Sequence, residues 1–243
     1  MLQLPDVTLV MIETREHELA RMAIEDCLAV AAFGDVVVFS DRLDGWPPSV
    51  DMVVEVPDWP SKEGWSQFLW NHVGGYVKTS HMLSIQWDSW IVEPRAWISN
   101  FLRYDYIGAP WWYTDGLNVG NGGFSLRSTA LQRYCSKHRD RFPCVNAIDD
   151  DQLCRKYRIA LQERGFRWAP QEIAERFAFE CMAPVPNEAG MPFGFHGIFN
   201  WPKVLDEERL RERVRIAAKS DYIKRSPQMW AQLLKVYPEA VSL

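Results

Sequence analysis

The chain has 243 residues, of which 47% are hydrophobic, 13% aromatic and 24% charged. This suits one large domain or two small ones with a sizeable core, and it excludes a disordered chain, a collagen-like repeat and a disulfide-held mini-scaffold. The net charge of -5, from 27 basic and 32 acidic residues, leaves no electrostatic footprint for nucleic acid or an anionic membrane; an anionic ligand must be met locally, by a metal or a few placed donors.

The N-terminal stretch MLQLPDVTLVMIET lacks a basic n-region and is interrupted by Asp6, so it is expected to be a strand, with its β-branched run at Val7 to Ile12, and not a signal peptide. Leu19, Met22, Ala23, Cys27 and Val30 recur at helical spacing, with Gly34 as the expected stop. Asp35 to Phe39 reads as a strand buried on both faces, and Met52 to Val56 as a third strand. Ser61 is placed to cap a helix reaching about His72, with Glu63 in its first turn and Gly74-Gly75 at its end. Met82 to Trp87 is the fourth expected strand. Strand, helix and strand at this spacing imply right-handed crossovers and a mainly parallel sheet with helices on both faces.

From Trp90 to Phe124 the chain is rich in turns, aromatics and glycines. Ser128 then opens a helix to about His138, and Asp149 opens another with Leu153, Tyr157 and Leu161 on one face and Gly165 as its cap. Pro184 to Pro192 is a loop, and closing helices start at Asp206 and at Ser226-Pro227. The expected organisation is an α/β domain over residues 1–203 with a helical extension over 204–243 packed on it. No apolar run approaches the roughly 20 residues a bilayer span needs. The five cysteines, Cys27, Cys135, Cys144, Cys154 and Cys181, have no C-x-x-C spacing and read as reduced thiols, which points to the cytoplasm, with a peripheral place at the inner face of a membrane compatible with it.

In an open parallel sheet, ligands sit at the carboxyl ends of the strands. Those ends carry Thr14, the run Ser40-Asp41-Arg42, and Asp88. Asp88 directly follows MLSIQW and can either ligate a divalent cation on a diphosphate or cap the next turn. Gly120 to Phe124 lacks the G-K-[ST] of a phosphate-cradling loop; its glycines allow close approach to a ligand or unusual dihedrals. Asp149-Asp150-Asp151 opens a helix, where it is either a solvated acidic start or the home of a general base. His196, between glycines and aromatics in FGFHGIF, suits a satisfied core residue or a ring exposed by a turn. Eight of the 12 tryptophans fall between Trp59 and Trp112, either filling a core or offering flat faces to sugar rings. The arginines at 209, 211, 213 and 215 read as a solvated helical face.

Taken together, IQWDSWIVEPRAW, YDYIGAPWW, VGNGGFSLRS, the acidic triplet and FGFHG resemble the DUF5672 proteins, which look like glycosyltransferases of the GT-A fold. The resemblance is strong over roughly residues 76 to 200. It implies a nucleotide-sugar donor at the strand ends and an Asp-x-Asp motif holding Mn²⁺ or Mg²⁺ against the diphosphate. Only Asp88 stands here: as the first acid of the pair its partner position is Trp90, as the second Gln86. His196 is then a further metal ligand. The same likeness makes Asp149 and Asp150 the family's acidic pair, with Asp150 the better base, Asp149 the helix cap and Asp151 facing solvent. Gly122 and Gly123 border the transferred sugar, and Thr14, Asp41, Arg42, Lys78 and Asp88 make up the expected donor side.

The implied reaction is direct, inverting displacement at the anomeric carbon, with Asp150 taking the proton of a hydroxyl on a glycan, polysaccharide or glycolipid acceptor. Two alternatives compete. A nucleotidyltransferase shares the sheet and the metal acids, but calls for a glycine- and lysine-rich loop where this chain has IETREHELA. A carbohydrate-binding or scaffold protein of the same fold suits the incomplete Asp-x-Asp.

Overall fold

A computed structural model describes residues 1–59 and 61–239 of the chain. Its first half lays down β1 (Leu2–Ile12), α1 (His17–Val30), β2 (Ala31–Ser40), β3 (Met52–Glu55), α2 (Lys62–Asn71), β4 (His81–Ile85), β5 (Tyr106–Ile107) and β6 (Phe124–Ser128). These six strands form one sheet in the order β3-β2-β1-β4-β6-β5, with β3, β2, β1 and β4 mutually parallel and β6 antiparallel to both its neighbours. The apolar runs of β1 and β2 are buried throughout their carboxyl halves, as strands covered on two faces must be.

Gly34 does not stop a helix: α1 ends at Val30 and the chain turns straight into β2. The β1–β2 register shifts between Leu4 and Thr8, and a Cβ on Gly34 would lie 2.1 Å from the carbonyl oxygen of Pro5. Glycine is needed there so that two irregular strands can pass one another.

The second half adds α3 (Thr129–Lys137), α4 (Asp149–Asp151), α5 (Arg158–Gln162), α6 (Gln171–Phe177), the short parallel pair β7 (Ala178–Phe179) and β8 (Gly194–Phe195), then α7 (Trp201–Val204), α8 (Glu207–Ala217), α9 (Asp221–Lys224) and α10 (Pro227–Val236). Ser61, Ser128 and Asp206 cap α2, α3 and α8 as the sequence indicates, each accepting from a backbone amide three residues on. Ser226 precedes α10 without a side-chain cap bond. The helix expected from Asp149 is broken by a π turn over Gln152–Lys156, which separates α4 from α5.

One face of the sheet packs against α1 and the C-terminal helices, through Leu19, Ile24, Trp201, Val214 and Ile223 among others. The other face packs Val10, Val37, Phe39 and Met82 against Leu69 of α2 and Val73. The arginines of α8 are not one solvated face. Arg213 is 1% exposed, its guanidinium lies 4.2 Å above the Trp90 ring, and it shares Asp26 of α1 with Arg209. A buried cation needs such a partner. All five cysteines are free, four of them buried, and among the described residues no helix is long and apolar enough to cross a membrane.

Candidate active site

A cleft of about 270 Å³ opens at the carboxyl ends of β1 and β4 and the amino end of β6. Because β6 runs antiparallel to β4, the turn at Asn121, Gly122 and Gly123 arrives at the same edge as Gln86 and Trp87. This is where an open sheet takes a ligand. Trp59, Trp65, Trp87 and Trp111 supply its aromatic walls, and Tyr222 of α9 reaches it from the C-terminal extension.

On the β1 side, Glu13 turns back over the start of α1. One of its oxygens accepts from the amides of Thr14, Arg15 and Glu16 at 2.8–3.1 Å. Burial nonetheless pushes the Glu13 carboxyl up to about 7, against the three amides that favour its anion. The Arg15 guanidinium bonds the carbonyl of Trp59 and lies 4.9 Å over the Tyr222 ring. Thr14 donates to Asp58 at 3.0 Å. Thr14, Arg15 and the exposed Lys62 all line the cleft.

Four expected donor residues do not: Asp88, which lies behind the wall, and Asp41, Arg42 and Lys78. Asp41 is drawn to His17, with 2.7 Å between carboxylate and ring nitrogen. Arg42 is exposed, its amide donating to Ser40 and its carbonyl accepting from Trp46. Neither lines the cleft, because the strand end that carries them lies one strand further out. Lys78 precedes β4, at the opposite end of the sheet, 3.7 Å from Asp35.

Asp88 is 4% exposed at its side chain and lies behind the cleft wall, beside His196. The His196 ring presents Nε2 to Asp88 Oδ1 at 3.3 Å and to Gln86 Oε1 at 3.2 Å, while Nδ1 faces Glu180 at 2.8 Å. Burial works against a charged imidazole, but Asp88 and Glu180 outweigh it and carry the pKa up to about 10. The neighbouring Gly123 leaves room for the ring: a Cβ there would fall 2.2 Å from it. Among the described residues no three His, Cys, Asp or Glu side chains gather as a metal cage. The carboxamide of Gln86 faces the same ring nitrogen as Asp88, whose Oδ1 is buried with the His196 ring as its partner. The Asp88 carboxylate and the Gln86 carboxamide bring oxygens of the kind Mn²⁺ or Mg²⁺ takes to one side of the His196 ring, and the ring could join them only once its Nε2 has lost its proton.

The acidic triplet divides into three environments. Asp149 does not cap its helix; the cap position is Ile148, with no side-chain bond. Its carboxylate is instead buried against Arg127 at 2.6 Å and accepts from Ser66 at 3.2 Å. Asp150 lines the cleft, and its Oδ2 accepts from the amide of Gly122 at 2.7 Å. Burial and the Asp149 charge push the Asp150 carboxyl up to about 7, against the Gly122 bond and the Arg127 charge. Asp151 is exposed.

Thus Thr14, Gly122, Gly123, Asp149, Asp150 and His196 gather around one cleft, with Asp88 behind it. Sequence reasoning missed Glu13, Arg15, Lys62, Glu180 and Tyr222. For Arg15 and Lys62 a signal was available, since both flank expected element ends; the position of Tyr222 depends on how the C-terminal helices fold back.

The fold has solved counterparts. The galactosyltransferase LgtC, in complex with donor and acceptor sugar analogs, aligns with 88% of this chain and 96% of its own at a TM-score of 0.52 and 12% identity. The glycosyltransferase GlyE of Streptococcus pneumoniae TIGR4 aligns over 79% of this chain and 54% of its own (TM-score 0.46, 8% identity). A glycosyltransferase involved in glycosylation of the major capsid of PBCV-1 aligns over 78% and 91% (TM-score 0.47, 9% identity). The first of these shows the GT-A fold for this chain, and no curated protein matches it in sequence. A family model described as "Protein of unknown function (DUF5672)" matches residues 59–196, more than half of the sequence, and the chain belongs to that family.

Proposed function

We propose that the protein is a glycosyltransferase that moves a sugar from a nucleotide-sugar to a hydroxyl acceptor. The observation that carries this reading is the single cleft. It sets Asp150, whose carboxyl burial and the Asp149 charge push up, beside the Gly122-Gly123 turn, with Gln86 and His196 in the same cleft and Asp88 behind them. Asp150 accepts the proton of the acceptor hydroxyl as its oxygen bonds to the anomeric carbon, while the bond to the diphosphate breaks and its electron pair leaves with the nucleoside diphosphate. No acid is needed for that leaving group. Gln86, Asp88 and His196 would hold Mn²⁺ or Mg²⁺, which supplies a positive charge for the departing diphosphate. Arg15 and Lys62 bring the chain's own cations to the cleft, and the tryptophans offer faces for the sugar rings. Opposite attack faces for acceptor and leaving group give inversion.

The test is a panel of nucleotide-sugars incubated with the full chain, with and without glycan acceptors, followed by chromatography of nucleotides and products. A transferase releases nucleoside diphosphate from one donor, slowly alone and faster with an acceptor; pyrophosphate release, or no turnover of any donor, refutes the proposal. In the active pair, Asp150→Asn should lose about 10²–10⁴ in turnover with little change in melting temperature, and Asp151→Asn should change nothing. Equal activity of wild type and Asp150→Asn would remove Asp150 as the base.

A further inference from the structure

Two adjacent carboxylates that share one partly dry site ordinarily share a proton, and neither then has a defined role. Here the surroundings of Asp149 and Asp150 differ. Arg127, the fourth of the five residues of β6, is completely buried. Its Nη1 lies 2.6 Å from Asp149 Oδ2, its Nε donates to Ser125 at 2.9 Å, and its guanidinium sits 5.3 Å from the Tyr106 ring. The position a Cβ on Gly122 would take lies 3.2 Å from Asp150 Oδ2 and 3.3 Å from Arg127 Nη2, so cation and second carboxylate flank the same glycine without an ion pair between them. Tyr106 in turn donates to the carbonyl of Asn121, tying the turn to the same group.

We infer that Arg127 is a positioning residue that assigns the roles within the acidic pair: it holds Asp149 as a permanent anion and leaves Asp150 as the one carboxylate that takes up and releases a proton. This rests on the reading of Asp150 as the base. The other groups facing the pair are Asp151 on the same helix, Tyr106 of β5, and Cys144 and Cys154. Burial pushes both thiols up to about 12 and the Tyr106 phenol well above its ordinary value, so all three are neutral near pH 7. Asp151 is solvated. Arg127 is therefore the one buried cation against the pair among the described residues.

The experiment is a pH titration of the ¹³C-carboxyl resonances of aspartate-labelled protein, with Asp150→Asn assigning the signals. In the wild type one of the two carboxyl signals, that of Asp150, should titrate near neutrality by itself. Arg127→Met leaves Asp149 without its cation, and its carboxyl should then be protonated at pH 7. The double variant Arg127→Met/Asp149→Asn removes both ends of the ion pair, which spares the fold the uncompensated charge that a single change leaves. In it the Asp150 titration should fall, because the Asp149 repulsion it loses exceeds the Arg127 attraction. The acid limb of the pH–turnover profile should move with it. Arg127→Lys, which keeps the charge, should leave Asp149 ionised, and remains informative should the other variants fail to fold. Joint titration of Asp149 and Asp150 near pH 7 in the wild type, an unmoved Asp150 in the double variant, or a protonated Asp149 in Arg127→Lys overturns the inference. The titration does not depend on turnover. A protein that titrates as described yet turns over no nucleotide-sugar overturns the proposed function alone, and an active enzyme whose two carboxylates titrate together overturns the role of Arg127 alone.

Discussion

Replacing Gly123 by alanine adds one methyl group, and the structure says where it goes. The new Cβ would lie 2.2 Å from two atoms of the His196 ring and 2.5 Å from a third, against an ordinary contact distance of at least 3.4 Å. The ring must therefore move by about 1.2 Å or the β6 turn must open. Neither is easy. The ring is held by Glu180 at 2.8 Å, and it packs against Asn121, whose Oδ1 accepts from the amide of Phe124 at 3.1 Å and closes the turn. A displacement of that size takes a 2.8 Å contact outside hydrogen-bond range. Overpacking of this kind costs about 1–3 kcal/mol, so at roughly 2–4 °C per kcal/mol for a chain of this size the melting temperature should drop by about 2–12 °C. Mn²⁺ should also lose its effect. Differential scanning fluorimetry reads both quantities: the wild type is expected to gain stability with Mn²⁺, while Gly123→Ala and Asp88→Asn are not. If Gly123→Ala melts with the wild type and keeps the Mn²⁺ response, the ring does not occupy the place described, and the donor set built on it fails.

Glu13→Gln keeps the shape of the side chain and a carbonyl for the three amides. The folded-state pKa of Glu13 is raised to about 7 from an ordinary 4.5, so the wild type loses stability as pH rises from about 4.5 to 7. Relative to it, Glu13→Gln should gain up to about 3 kcal/mol at pH 8 and nothing near pH 4, as read by chemical denaturation at the two pH values; an equal effect at both would show that Glu13 does not titrate between them. On the donor side, Lys62→Ala should weaken nucleoside diphosphate binding and flatten its salt dependence, while Asp41→Ala and Lys78→Ala should leave it unchanged by calorimetry. The reverse order would place the donor at the β2 end or beneath the sheet.

The sheet was legible wherever burial left an unbroken apolar run, as in β1, β2 and β4. β6 was not. Its FSLRS carries an arginine in fourth place and two serines, and it can be a buried strand because Arg127 finds Asp149 across the fold, which no local pattern announces. β5 has two residues and pairs because β6 lies beside it. In the site, residues named from their place at an element end line the cleft where the end faces it, as with Thr14 and Asp150, while Asp88 lies one layer behind. Asp41 failed because the same rule cannot tell how far from the switch in strand direction a given end lies. Glu180 follows β7, a strand of two residues that exists through its pairing with β8, and its partnership with His196 is a property of that pairing.

The link between Asp26 and Arg213 has a consequence for synthesis. The two partners are 187 positions apart. At about 5–20 residues per second, α1 leaves the ribosome roughly 10–40 s before the helix that covers it. During that interval the apolar face formed by Leu19, Ala23, Ile24 and Cys27 has no lid, and Arg15 has no Tyr222 to lie against. The first crossover of the sheet thus waits with an uncovered apolar face, and the β1 side of the cleft takes its final shape only once Tyr222 has been made.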